Sequence, residues 1–294
     1  MPEIAYVNDK FLPLEQASIS INDRGLMFAD GIYEVIVTAS GVPFLLESHL
    51  ERLYASAKSI KLELPWHKKD LVEIIIQGIE RAAFTESMIY LQITRGVAPR
   101  RHNYDSQLQP SLIMTFRQRP EYEKKMKEQG IALLSVEEIR WQRCDIKSIA
   151  LLPNIMMKQK ALDQGFDEAL FVTPTGLVRE AAAANFFIIK HKTLITPKAD
   201  QHILNGITRK FIIAQARQKQ LPVEERDLQL EEVLTADEAF ISSSTINLLP
   251  VVRIDNRKIG NGCPGSATLA IAEYFSDWQP QPEGIAESRQ QGCQ

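Results

Sequence analysis

Lys147 stands in the stretch Arg143-Cys144-Asp145-Ile146-Lys147-Ser148, just ahead of the apolar run Ile149 to Leu152. A primary amine attacks a carbonyl only in its neutral form, and burial beside apolar groups favours that form. The stretch fits an amine carried inward for covalent chemistry. It also fits an ordinary lysine at a strand end, where most lysines are solvated. Glu180 is a second group of interest, because Ala181 to Ala184 follow it with no bulky side chain. Small side chains let backbone and a flat ligand approach closely. A carboxylate in that place can face a pyridine nitrogen and keep it protonated; the structural alternative is a carboxylate on an exposed strand edge.

Other groups could bind anions. The segment Asn205 to Lys210, "NGITRK", offers backbone N–H groups at a helix start, including those of Ile207 and Thr208, and Thr208 adds a hydroxyl. Such a place suits a phosphate. Ser242 to Thr245, with Ser244 among them, supply more hydroxyls at the end of a strand. Both segments also read as a plain cap and a plain turn. Arg52 shares a helix with His49, and an arginine on a lone helix is usually solvated. Arg100, Arg101 and His102 sit in the polar, basic stretch Val97 to Pro110, a long loop of the sort that often carries function. Their cluster suits a carboxylate, and equally a solvated loop.

Several chemistries lack their signatures. The chain has no GxGxxG after a strand, no GxxxxGK[ST], no HExxH and no GxSxG. Cys144, Cys263 and Cys293 form no CxxC pair and no Cys/His set at zinc spacing, so no metal site is expected and a reducing compartment fits. A formal net charge of -3 gives no reason to expect nucleic acid or an anionic membrane as a partner. The start, "MPEIAYVNDK", shows no signal peptide, and no apolar window is long enough to span a bilayer. The expectation is a cytoplasmic protein.

These side chains need elements to hold them. "GIYEVIVTASGVPFLLE" reads as two strands around a Ser40-Gly41 turn. Leu50, Leu53, Tyr54, Ala57 and Ile60 recur at helical spacing, with Ser48 as the expected cap, and Leu71, Ile75, Ile79 and Ala82 mark a second helix. "MIYLQITRG" and "SLIMTF" read as strands on either side of the basic loop. The charged, proline-containing "RQRPEYEKKMKEQG" places a domain linker near residues 117 to 123. Beyond it come the strand "IALLSVEEIR" and the helix "NIMMKQKALDQG". Strands follow around a Pro174-Thr175-Gly176 turn, then a helix starting near Gly206, a helix leading into the strand of "EEVLTADEAFISSS", and the closing helix "SATLAIAEYF". Neither half keeps a regular βαβ rhythm, so the fold class expected is α+β. The domains expected are residues 1–118 and 124–278, followed by a loose tail from 279 to 294 rich in Pro, Gln, Gly and Ser.

In order, "DRGLMFADGIYEV", "HLERLYASA", "ITRGVAPRRH", "RWQRCDIKS", "REAAAANFF" and "ILNGITRK" resemble the fold-type IV pyridoxal-phosphate enzymes, the class IV aminotransferase family. The likeness runs from about Ile4 to about Asp277, and "RCDIKS" with the Pro-Arg-Arg-His loop points to the D-amino-acid branch. The resemblance implies a small N-terminal α/β domain, a larger C-terminal domain and pyridoxal 5'-phosphate between them. It implies that Lys147 attaches the cofactor covalently and shuttles a proton, and that Glu180 faces the pyridine nitrogen. Arg52, the backbone of Ile207 and Thr208, and a hydroxyl of Ser244 would hold the phosphate. Tyr33, Arg100 and His102 would hold the substrate carboxylate, with the last two supplied by the partner subunit of a homodimer. The implied reaction moves an amino group between D-amino acids, such as D-alanine and D-glutamate, and 2-oxo acids, with ping-pong kinetics. Alternatives on the same fold are a branched-chain L-amino-acid aminotransferase and an aminodeoxychorismate lyase. A non-catalytic cofactor-binding relic is a third, against which the presence of both Lys147 and Glu180 argues. One departure stands out: Ala181 to Ala184 replace the glycine and serines that follow this glutamate in the D-amino-acid branch.

Overall fold

A computed structural model describes residues 3–121 and 124–278. The tail from 279 to 294, with Cys293, lies outside the described residues. The described chain divides into two compact units.

The first unit comprises residues up to Pro120 together with Ile146–Ala150. Its elements are β1 (Ile4–Val7), β2 (Lys10–Pro13), α1 (Arg24–Phe28), β3 (Gly31–Ala39), β4 (Val42–Pro43), α2 (Leu46–Ser59), α3 (Lys68–Ala82), β5 (Ser87–Thr94) and β6 (Ser111–Gln118). One six-stranded sheet, in the order β2-β1-β6-β5-β3-β4, carries the helices. The two long helices form because apolar residues recur every three or four positions. Leu50, Leu53 and Ala57 of α2 and Leu71, Ile75 and Ile79 of α3 pack with Ile32, Ile36, Ile89, Leu91 and Phe116 of the sheet in one core. The expected cap at Ser48 is corrected: α2 begins at Leu46, and Ser48 lies inside its first turn.

Strand β3 is the scaffold for Lys147. Its β-branched sequence makes an inner strand, paired antiparallel with β5 over Gly31 to Val37. On its other side β4 covers only Thr38 and Ala39. At the opposite end of that side, residues 147–149 run antiparallel to β3: Ile32 bridges Ser148, and the Tyr33 N–H donates to the Lys147 carbonyl at 3.0 Å. Ile149 N–H donates to Gly31 O at 3.1 Å. Hence Lys147 belongs to the first unit, although the sequence alone places it within a C-terminal domain spanning 124–278.

The second unit comprises Glu121–Asp145 and Leu151–Trp278. Its elements are α4 (Lys124–Gln129), β7 (Ile131–Glu137), α5 (Leu152–Asp163), β8 (Glu168–Val172), β9 (Leu177–Ala181), β10 (Asn185–Lys190), β11 (Thr193–Thr196), α6 (Ile207–Gln218), β12 (Val223–Glu225), β13 (Leu228–Gln229), α7 (Leu230–Val233), β14 (Glu238–Ser243), β15 (Asn247–Ile254), β16 (Arg257–Lys258) and α8 (Ser266–Ala272). A ten-stranded sheet runs β12-β11-β10-β14-β15-β7-β8-β9-β13, with β16 beside β15. Its core includes Leu133, Leu170, Phe186, Ile188, Leu249 and Val251. The charged stretch read as a linker over 117 to 123 is ordered at both ends, by β6 up to Gln118 and by α4 from Lys124. Among the described residues, no helix is long and apolar enough to cross a membrane.

Candidate active site

Lys147 is half-buried, and its place is set by backbone as much as by side chain. The pairing with β3 is joined by a hydrogen bond from its own N–H to Ser56 Oγ of α2, at 3.3 Å. Lys147 Nζ lies 4.1 Å from the centre of the Tyr33 ring, a cation–π distance. Tyr33 in turn stacks on Tyr90, with ring centres 5.7 Å apart. The structure thus brings together two of the residues expected at the site, Lys147 and Tyr33.

Arg52 projects from α2 toward Glu34 of β3. Its Nε and Nη2 donate to the two carboxylate oxygens at 2.7 and 2.8 Å, the fork geometry that arginine favours. His49, one turn earlier on α2, places Nδ1 2.7 Å from Glu34 Oε2. All three are buried or nearly so. Burial would raise the Glu34 carboxyl, but the Arg52 charge and the hydrogen bonds from Arg52 and His49 overcome it and hold the group at about 2. Burial pushes the His49 imidazole down; Glu34 opposes this, while the nearby charges of Arg52 and Lys147 reinforce it. A neutral His49 therefore donates to Glu34 through Nδ1. The ion pair fixes the orientation of the Arg52 guanidinium.

Arg100 and His102 lie on the exposed loop after β5. The loop leaves the strand through Gly96, whose positive φ of +102° and close approach to Gln109 O leave no room for a side chain. The Arg100 guanidinium lies 5.3 Å from the Phe28 ring centre, and the His102 ring centre 5.7 Å from it. These two expected residues therefore both lie beside the Phe28 ring.

In the second unit, Glu180 is buried on β9, between β8 and β13, rather than exposed at an edge. Arg140 Nη1 donates to its Oε1 at 2.7 Å, Asn185 Nδ2 to its Oε2 at 3.0 Å, and the Leu204 N–H to both oxygens at 3.2 Å. Arg140 spends its Nε and Nη2 on Glu138 and caps the Phe171 ring at 4.2 Å. Burial pushes the Glu180 carboxyl up, and the Arg140 charge only partly offsets it. The result is a firmly oriented carboxylate with enhanced proton affinity, suited to accept from a cationic ring N–H. Ala181 to Ala184 close a tight turn behind it, with Ala181 N–H donating to Ala184 O at 2.8 Å.

Ile207 and Thr208 open α6, a helix whose start has no capping side chain. Gly206 precedes them, where a Cβ would collide with Asn185 Oδ1. The helix start is thereby tied to the same asparagine that orients Glu180. Ser244 lies in the turn between β14 and β15. A buried carboxylate ready for a ring nitrogen and an uncapped helix start ready for a phosphate fit the donor and acceptor set of pyridoxal phosphate.

Arg140, Glu34, Arg24 and Phe28 lie inside the sequence motifs, yet the sequence alone gives them no role. The Glu138-Ile139-Arg140 alternation is a usable signal, since every second residue of an extended segment faces the same way.

Residues 31–254 match the family described as amino-transferase class IV, and the chain belongs to that family. Among curated relatives, a protein named D-alanine aminotransferase from Listeria monocytogenes is 40% identical over 92% of this chain and 93% of its own. One of the same name from Bacillus licheniformis is 37% identical over 90% and 93%, and one from Staphylococcus haemolyticus is 35% identical over 93% and 96%. Among solved structures, a branched-chain amino acid aminotransferase of Escherichia coli matches with a TM-score of 0.88, at 24% identity over 94% of each chain. A branched-chain aminotransferase from Thermoproteus uzoniensis, solved with norvaline, matches with a TM-score of 0.83, at 26% identity over 93% of each chain. The α+β fold is therefore that of the fold-type IV aminotransferases.

Proposed function

We propose that this chain is a pyridoxal-phosphate-dependent D-amino-acid transaminase, exchanging amino groups between D-amino acids such as D-alanine and D-glutamate and their 2-oxo acids. The observation that carries the chemistry is the seat of Lys147: its backbone is paired to β3 and its amine lies over Tyr33. The choice of hand is supported by the relatives named D-alanine aminotransferase, at 34–40% identity over nine-tenths or more of the chain.

When bound, the cofactor supplies an electron-poor ring that accepts the electron pair left at the substrate Cα. Lys147 Nζ would hold the cofactor at rest and, once freed by the incoming amino acid, would take the Cα proton and hand it back on the cofactor side of the transferred nitrogen. Glu180, oriented by Arg140, Asn185 and the Leu204 N–H, keeps the ring nitrogen protonated. Arg52, the N–H groups of Ile207 and Thr208 and the Ser244 hydroxyl would hold the cofactor's phosphate. Tyr33, Arg100 and His102 bind the substrate carboxylate and so fix which enantiomer presents its Cα–H to Lys147. The exposure of the loop bearing Arg100 and His102 suits delivery of those groups to a second copy, in a homodimer. The scattered cysteines suit a reducing cytoplasm.

Two measurements test this reading. Borohydride treatment of the purified protein should fix cofactor to Lys147 in peptide maps; attachment at another lysine removes the assignment. Half-reactions with D-alanine, L-leucine and aminodeoxychorismate should proceed with D-alanine and far more slowly with the others. A preference for L-leucine establishes the branched-chain alternative, and pyruvate release from aminodeoxychorismate the lyase.

A further inference from the structure

Arg24 has a side chain only 4% exposed, yet it stands beside an exposed loop. Its Nη1 donates to Arg101 O at 2.7 Å and reaches Asn103 O at 3.4 Å, and its Nη2 donates to His102 O at 3.2 Å. Three successive loop carbonyls thus face one guanidinium. Nε is taken by Asp30 at 2.8 Å. The carbon of the guanidinium lies 4.8 Å from the Phe28 ring centre and 5.8 Å from that of Tyr104. Both rings lie within cation–π reach, so attraction in that direction is joined to hydrogen bonds in the guanidinium plane.

The anchor is itself anchored. Asp23 caps α1 by accepting from Gly25 N–H at 2.7 Å, and its other oxygen accepts from Thr94 Oγ1 and Ser111 Oγ at 2.9 and 2.8 Å. The Arg24 N–H donates to Gly96 O at 2.9 Å, the point where the loop leaves β5. Asp30 is also held by Arg95 Nε, which donates to both of its oxygens at 3.0 and 2.9 Å, and the Arg95 guanidinium lies 3.8 Å from the Tyr104 ring centre. Beyond Tyr104, Asp105, Leu108 and Pro110 line a cavity of about 530 Å³ with Leu62 and Arg95. Directional contacts hold the part of the loop that carries His102: Arg24 takes the carbonyls of residues 101–103, and Arg95 lies over Tyr104.

We propose that Arg24 is a positioning residue for substrate recognition, and that with Phe28 it holds Arg100 and His102 in the geometry that receives the amino-acid carboxylate. Phe28 is the common surface, since the Arg24, Arg100 and His102 side chains all lie against its ring. The benefit is pre-organisation: the loop is ordered before substrate arrives, so binding does not bear that ordering entropy. This inference rests on the assignment of Arg100 and His102 to the substrate carboxylate.

The test compares Arg24→Lys, Arg24→Ala and Arg100→Ala in the cofactor-loaded enzyme. It measures KM for D-alanine, kcat, the resting cofactor spectrum, the melting temperature and amide hydrogen exchange over residues 99–105. Lysine keeps the charge and loses the fork. Arg24→Lys should raise KM for D-alanine about tenfold, with kcat within about threefold and an unchanged spectrum, while loop exchange quickens about tenfold. Arg24→Ala should exaggerate both changes. A folded Arg24→Lys protein with wild-type KM overturns the proposal if Arg100→Ala does raise KM. Parallel loss of kcat, spectrum and melting temperature also overturns it, because Arg24 is then merely structural. If Arg100→Ala leaves KM unchanged, the carboxylate assignment has failed instead; exchange over 99–105 in Arg24→Lys then decides alone, and wild-type rates overturn the role of Arg24 as the loop's anchor.

Discussion

Glu34 of the first unit and Glu180 of the second are both buried carboxylates facing an arginine, yet their proton affinities are shifted in opposite directions. The difference lies in how each guanidinium is divided. Arg52 gives Nε and Nη2 to Glu34, and His49 adds a third donor. Arg140 gives its Nε and Nη2 to Glu138 and only Nη1 to Glu180. A carboxylate gripped by both arms of an arginine fork is fixed as an anion. An arginine shared by two leaves the more buried one with its affinity for a proton enhanced. The first arrangement suits a permanent structural charge; the second suits a group that must hold a ring proton in place.

The largest expected effect is on Glu34. Glu34→Gln leaves the Arg52 charge buried without its counter-ion and should cost about 3–5 kcal/mol in denaturant unfolding. Glu180→Gln should cost at least about 2 kcal/mol less, because Arg140 keeps Glu138 and the desolvation penalty on Glu180 disappears. Equal losses would erase the contrast. The pH dependence comes next. The Glu34 carboxyl is held at about 2 against an ordinary value of 4.5, so its stabilisation is complete above 4.5 and is lost as pH falls from 4.5 toward 2. That loss amounts to on the order of 3 kcal/mol. His49, held below its ordinary value of 6.5, acts in the same direction, since acid favours the unfolded chain that protonates it. Urea titrations from pH 7 down should show falling stability, with a shallower slope below 4.5 in Glu34→Gln.

A smaller effect separates the two sites by activity. Glu180→Gln should retain cofactor but slow the D-alanine half-reaction roughly a hundredfold, about 2.7 kcal/mol in barrier. An unchanged single-turnover rate would remove Glu180 from the mechanism. Smallest of all, Glu138→Gln releases Arg140 to serve Glu180 alone and should make Glu180 more like Glu34. The acid limb of the pH–rate profile should move to lower pH, with a rate change of roughly two- to fivefold. A shift to higher pH would contradict the idea that the two carboxylates compete for one arginine.

Legibility in the sequence depends on range. Helices α2, α3 and α6 announce themselves because their apolar spacing is local. The strands β1 and β2 and the short helix α1 escape notice, being too short to show a period. Lys147 draws notice through its own neighbours, but only the ordered motifs give it a role. Its pairing with β3 depends on a partner far away in the chain, which no local pattern records. Arg140 is missed for the same reason, since its partner Glu180 lies 40 positions on. The Ser48 cap fails because α2 is entered through Leu45 in a left-handed conformation, which starts the helix before the serine.

The short run Ile146–Ala150 has a further consequence, for modularity. The chain leaves the first unit after Pro120, returns at Ile146 for one strand-like pass along β3, and departs again at Leu151. No single cut therefore separates the units. A gene fragment ending at residue 120 would encode most of one unit without its amine, and the remainder would carry the amine on a segment with no strand to pair with. Recombination that swaps one unit between relatives must carry Ile146–Ala150 across a matching β3, or the exchanged lysine arrives out of register. The segment that bears Lys147 and the strand it pairs with are thus one structural element, although more than a hundred positions separate them in the chain.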